Sequence, residues 1–175
     1  MWQNGGNMEP ILNKARGGQN ALEQIANEIP GFKGYREKEL RRDADRLQRE
    51  YLSARLEEAK KILDGLALAA SRSGALDGIN DIETARKRLD KVVARIRYAD
   101  RGYAGFFATV KVDEAALDRI YAFDLSLLGG VDAARSAVQA AGSPAGGAGV
   151  QSFLAALDAL DARLGDREAI LSGIQ

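Results

Sequence analysis

Ile82-Glu83-Thr84-Ala85-Arg86-Lys87-Arg88-Leu89-Asp90-Lys91-Val92-Val93-Ala94-Arg95-Ile96-Arg97-Tyr98-Ala99 is the stretch on which the fold turns. Ile82, Leu89 and Ile96 recur every seven residues with Tyr103 next in line, and Ala85, Val92, Ala99 and Phe106 fill the second seam position. A seven-residue repeat places both sets on one stripe of an α-helix, whereas a half-buried strand would alternate in twos. The repeat predicts a helix over 81–108 with its stripe turned inward. Asn80 or Asp81 can cap it after the turn formed by Ser71-Arg72-Ser73-Gly74 and Asp77-Gly78.

The neighbouring segments carry weaker versions of the same pattern. Upstream, Leu40, Ala44, Leu47, Tyr51 and Ala54 recur at helical spacing, and after a slip Ala59, Ile62, Leu63 and Leu66 resume the stripe, predicting a helix over 34–70 about 55 Å long. Glu37 and Arg41, Asp45 and Arg49, and Glu57 and Lys61 stand four apart in the order that supports a helix. Downstream, Asp113 can cap a helix over 113–141 whose stripe runs through Leu117, Ile120, Tyr121, Leu127, Leu128, Val131, Ala134, Val138 and Ala141. Gly129-Gly130 interrupts it, and two interior glycines at about 1 kcal/mol each predict a kink, a break or a close helix approach.

The ends are lighter in signal. Residues 1–32 read as a loosely structured segment with a short helix over 19–28, where Leu22, Ile25, Ala26 and Ile29 share a face before Pro30-Gly31 stops it; Met8 is an alternative start. The Gly-rich run at 142–149 reads as a flexible linker, leaving 150–175 as a C-terminal amphipathic helix with Phe153, Leu157, Leu160 and Leu164 on one face, ending near Gly165. Sustained alternation is missing from the whole sequence. The expected fold is all-α: an antiparallel three-helix bundle over 33–141, with the last helix docking as a fourth member or projecting to a partner.

Three segments carry a resemblance. Pro30-Gly31-Phe32-Lys33-Gly34-Tyr35-Arg36-Glu37-Lys38-Glu39-Leu40-Arg41-Arg42, Tyr98-Ala99-Asp100-Arg101-Gly102-Tyr103-Ala104-Gly105-Phe106-Phe107 and Tyr121-Ala122-Phe123-Asp124-Leu125 together make residues 30–131 similar to a group of uncharacterised bacterial helical-bundle proteins. The resemblance implies an intracellular helical protein and brings no activity with it.

Composition narrows the chemistry. The 175 residues contain 46% hydrophobic and 29% charged residues, enough for one core and too many apolar groups for global disorder. There is no Cys and no His, so the chain by itself can supply no Cys- or His-ligated metal and no Ser-His or Cys-His nucleophile. A catalyst here would depend on carboxylates, Lys or Tyr with strongly shifted pKa values, and the expectation is a protein that is not an enzyme and holds no cofactor or metal. A basic segment followed by an apolar run is not found at the start, and the longest apolar run, Leu66 to Ala70, is far short of the ~20 residues of a membrane span, so a cytoplasmic location is expected.

The remaining motifs are weighed by position. Phosphate-binding loops need a Gly-Lys pair, which the sequence lacks. Asp77, Asn80, Asp81 and Glu83 fail the alternating spacing of a calcium loop and read better as a capping turn. Asp43 with Asp45, and Glu57 with Glu58, lie among Arg and Lys and read as a solvated helix face. Residues 81–101 hold seven basic and four acidic residues, 33–61 ten and seven, and 111–135 three and five, giving nets of +3, +3 and −2. Basic helices packed beside an acidic one explain this, and the overall balance of 25 basic and 25 acidic residues argues against nucleic acid.

Asp124 stands in phase with a core stripe, and a buried carboxylate demands a partner, for which Arg95, Arg97, Tyr98 and Tyr103 are the candidates. Gly102 and Gly105 flank Tyr103 and would allow a backbone or a partner to approach closely. The residues singled out for interaction or helix register are Arg88, Lys91, Arg95, Tyr103, Asp124, Phe153, Leu157 and Leu160. The expected function is a non-catalytic scaffold that self-associates or binds a partner protein, with an anionic membrane surface as the second choice.

Overall fold

A computed structural model describes residues 9–75, 77–99, 108, 111–141 and 147–172, with backbone alone for 9–16, 77, 147 and 148. Among these residues the protein is all-α: α1 (Glu9–Glu28), a 3-10 turn (Lys38–Leu40), α2 (Arg41–Ser73), α3 (Asp77–Arg97), α4 (Glu114–Ala141) and α5 (Gly147–Ser172). No helix in the described residues is long and apolar enough to cross a membrane.

Local chemistry sets the helix ends. α1 stops at Pro30-Gly31, where Gly31 turns the chain at φ 83°. Gly74 closes α2 in the left-handed conformation, its N–H donating to the Ala70 carbonyl. Asp113 caps α4 as its position predicts, accepting from the Ala116 N–H at 2.6 Å. α1 is longer than the expected 19–28 and runs helical through Gly17-Gly18; α4 comes close at Gly18, where a Cβ would collide with the Asp118 carboxylate.

α2 packs on α3 and α4, α5 packs on the same two helices, and α1 lies along α4. Cross-links between helices give the directions. Lys60 pairs with Asp90 and Arg97 with Glu57, so α2 and α3 run antiparallel. Arg88 pairs with Asp158 and Arg95 with Glu168, so α3 and α5 run parallel. Arg55 with Asp132 and Arg135 with Glu58 make α2 and α4 parallel as well. Arg163 reaches the Ser126 carbonyl and Arg167 reaches Asp124, so α4 and α5 are antiparallel. The described long helices thus form two antiparallel hairpins, α2–α3 and α4–α5, laid side by side, with α5 docked as the fourth member, one of its two expected placements.

Core formation follows the apolar stripes. Ile82, Ala85, Leu89, Val92 and Ile96 of α3 are buried as their heptad spacing predicts. Phe153, Leu157 and Leu160 are 0–1% exposed, which makes α5 an integral core helix and excludes their use as a free recognition face. α5 continues through Gly165 to Ser172, beyond its expected end. At Gly129-Gly130, α4 is unbroken; a Cβ on Gly130 would stand 2.7 Å from Leu160, so the glycine serves close approach. Helix α3 ends at Arg97 with a turn following. Tyr103, Phe106 and the glycines at 102 and 105 lie outside the described residues, as does 142–146 of the expected linker, whose remainder belongs to α5.

Candidate functional site

The stripe on α2 differs from its sequence reading. Its buried positions are Arg41, Ala44, Asp45, Gln48, Leu52, Ser53, Leu56, Ala59 and Leu63, while Leu40, Leu47 and Tyr51 are half-buried and Ala54 is exposed. The first two turns of this helix therefore turn a polar face inward. Asp45, expected on a solvated face, is 1% exposed, and Asp43 beside it does remain on the surface.

Facing that polar turn are Asp124 on α4, Arg167 on α5 and Tyr35 in the loop between α1 and α2. Gly34, at φ 82°, brings the loop so close to α4 that a Cβ would stand 2.6 Å from the Tyr121 hydroxyl. The Tyr35 N–H donates to that hydroxyl at 2.8 Å. Tyr35 stacks on Tyr121 with ring centroids 5.6 Å apart and meets Phe32 edge-on, which fixes where its own hydroxyl points. The hydroxyl lies 2.7 Å from Asp124 Oδ2 and 2.5 Å from Gln48 Oε1.

Arg167 bridges the rest. Its Nε donates to Asp124 Oδ1 at 2.7 Å, and one terminal nitrogen reaches Asp45 Oδ1 at 3.1 Å, with the Tyr35 hydroxyl and Gln48 Oε1 at 3.3 and 3.4 Å. Asp45 also accepts from Arg49 Nε at 2.7 Å, and Arg49 Nη1 donates to the Arg97 carbonyl. Arg41, 2% exposed, donates to the Tyr35 carbonyl at 2.8 Å. Asp124 is therefore buried as its phase predicts, and among the described residues its partners are Arg167 and Tyr35 in place of Arg95, Arg97 or Tyr98.

Burial, followed by the negative charge of Asp124, holds the Tyr35 hydroxyl protonated well above the usual phenol range. Burial raises Tyr121 too, and the backbone N–H of Tyr35 opposes the shift. Chemically the cluster is a set of charges that complete one another: two carboxylates held by arginines and a hydroxyl, all inside the core. Such an arrangement fixes the relative positions of α2, α4, α5 and the 29–37 loop.

The basic residues singled out on α3 lie elsewhere, along the seam with α5. Arg88 pairs with Asp158, Lys91 with Asp161 at 2.7 Å, and Arg95 with Asp161 and Glu168 at 2.9 and 3.0 Å. Hydrogen bonding from Lys91, ahead of that from Arg95, pulls the Asp161 carboxyl below its usual pKa. The acidic partner of the basic α3 is thus α5, and α2 contributes Asp64, Glu57 and the 60–90 pair on its other side. Among the described residues no group of three metal-ligating side chains occurs, and Asp81 accepts from Gln151.

Sequence reading did not find Tyr35, Gln48 or Arg167. A signal for Arg167 was present: Phe153, Leu157, Leu160, Leu164 and Leu171 step by fours and threes once the gap between 164 and 171 is filled by 167. Compared with known proteins, the chain matches no family model, no curated protein and no solved structure.

Proposed function

We propose that the protein is a non-catalytic helical-bundle module that binds a partner protein or a second copy of itself through a fixed surface. The observation that carries this reading is a surface groove of about 340 Å³ where the 29–37 loop meets the start of α2. Its floor is apolar, with Leu40, Ala44 and Leu47, and its rim alternates in sign, with Lys33, Asp43, Arg46 and Glu50. An apolar floor inside a mixed rim suits a polypeptide, since charges of both signs on a partner find complements there.

An anionic lipid surface is the weaker reading because Arg88, Lys91 and Arg95 are already paired with acids of α5, which lowers the attraction they offer a membrane. The test uses the full chain and its Leu40→Glu/Leu47→Glu variant, with folding checked by circular dichroism. Light scattering after size exclusion, and recovery from lysate, should show a self-complex or a partner with the wild type that the variant loses. Equal recovery by both chains, or a wild type that stays monomeric and recovers nothing, overturns the proposal. Flotation with anionic vesicles that disappears at high salt would replace it with the membrane reading.

A further inference from the structure

Gln48 is 1% exposed, and its Nε2 has no hydrogen-bond partner, while Oε1 faces Tyr35 and Arg167. Gln48 lines a small, largely apolar cavity of about 10 Å³ together with Arg49, Leu52, Leu127, Leu164 and Arg167. Turning the amide end for end does not remove the problem. Nε2 would then donate to the Tyr35 oxygen, and Oε1 would be left without its two neighbours. In either orientation, one polar atom of a buried amide is without a protein partner. The large majority of buried side-chain polar groups in folded proteins are paired, by protein or by internal water.

We propose that this cavity is a binding site for a single ordered water molecule, held by the side-chain amide of Gln48 at the edge of the Asp45–Asp124–Arg167 cluster. The space is that of about one water and excludes larger ligands. Water both donates and accepts, so it completes the amide in either orientation. The site lies in the core, away from the groove at Leu40 and Leu47, and stands or falls independently of the interaction proposed there.

The test is a high-resolution crystal structure of the full chain, together with water-to-amide NMR transfer on the assigned Gln48 side chain. The expected result is one density peak about 2.8–3.2 Å from a Gln48 amide atom, and a water cross-peak to that amide which the Gln48→Met variant lacks. A dry cavity in the crystal, or a wild-type amide without the cross-peak, overturns the proposal. The wild-type measurements decide the matter even if Gln48→Met does not fold.

Discussion

Arg167→Met is the perturbation that tests the core cluster most directly. Met keeps the length and most of the apolar stem of Arg, so the loss is concentrated in the guanidinium. What remains is Asp124, which loses its 2.7 Å bond, and Asp45, which loses a 3.1 Å bond but keeps Arg49. Breaking a buried ion pair from one side costs about 3–5 kcal/mol because the surviving charge is stranded. With one carboxylate fully buried and a second half-deprived, the expected loss is near the top of that range, about 4–5 kcal/mol. For a domain of this size that is a fall in Tm of roughly 8–20 °C. Urea unfolding followed by circular dichroism at pH 7 reads the number. The companion measurement is the triple variant Arg167→Met/Asp124→Asn/Asp45→Asn, in which no stranded charge is left. It should regain at least half of the single-variant loss, a coupling of roughly 2 kcal/mol or more. A loss below about 1.5 kcal/mol for Arg167→Met, or a triple variant no better than the single one, would refute the claim that these charges hold one another in the core.

Other outcomes follow from the same geometry. Leu157→Ala should cost about 2–5 kcal/mol in urea unfolding, since its side chain is fully buried; a loss near zero would return α5 to the role of a projecting helix. Gly129→Ala, where a new methyl meets nothing within 4 Å, should gain roughly 0.5–1 kcal/mol by thermal melting, whereas Gly149→Ala, which would drive Cβ into the Ala141 backbone, should lose stability; the same sign for both would contradict the α4–α5 packing. In alkaline titration followed by tyrosinate absorbance, Tyr35 should ionise only as the fold is lost. Its folded pKa lies above the ordinary 10.0, so its contribution is complete below pH 10 and disappears as pH rises toward the folded value, and a Tyr35→Phe chain should lack that late step. Asp161 behaves in the opposite sense: its folded pKa is depressed, so the stability lost in Asp161→Asn, roughly 1 kcal/mol, should be present at pH 7 and fade as acidification passes below the ordinary carboxylate value of 3.8.

The helices were legible wherever the inward face is apolar throughout. Ile82, Leu89 and Ile96 are all in the core, and so are Leu117, Ile120, Val131 and Val138, because a continuous apolar stripe has one energetically acceptable orientation. The same rule misplaced the start of α2. There the inward positions Arg41, Asp45 and Gln48 are polar, and the half-buried Leu40, Leu47 and Tyr51 on the adjacent face offered a false stripe. Read backward from Leu63 through Ala59, Leu56 and Leu52, the true phase arrives at Gln48, Asp45 and Arg41 with the same steps of three and four. Asp124 was recognised because apolar residues flank it on both sides. Arg167 is hidden in the sequence because Gly165 before it reads as a helix end, whereas Gly165 is helical and its missing Cβ leaves room for Arg95, 3.3 Å from where that atom would stand.

The cluster also has a logic that single-helix patterns do not contain. One buried carboxylate in phase with a core stripe requires countercharge at the same level of the bundle, so Asp124 on α4 implies an out-of-pattern polar residue on each helix that faces it. Arg167 on α5 and Asp45 with Gln48 on α2 are those residues, and Tyr35 completes the set from the loop. Helix periodicity locates each of them on an inward face, but only their level along the bundle identifies them as one group. That level is set by the pairing of α2 with α4 and of α4 with α5. Arg167 stands on the helix expected either to dock as a fourth member or to project, so Asp124 meets its countercharge only with α5 docked against α4.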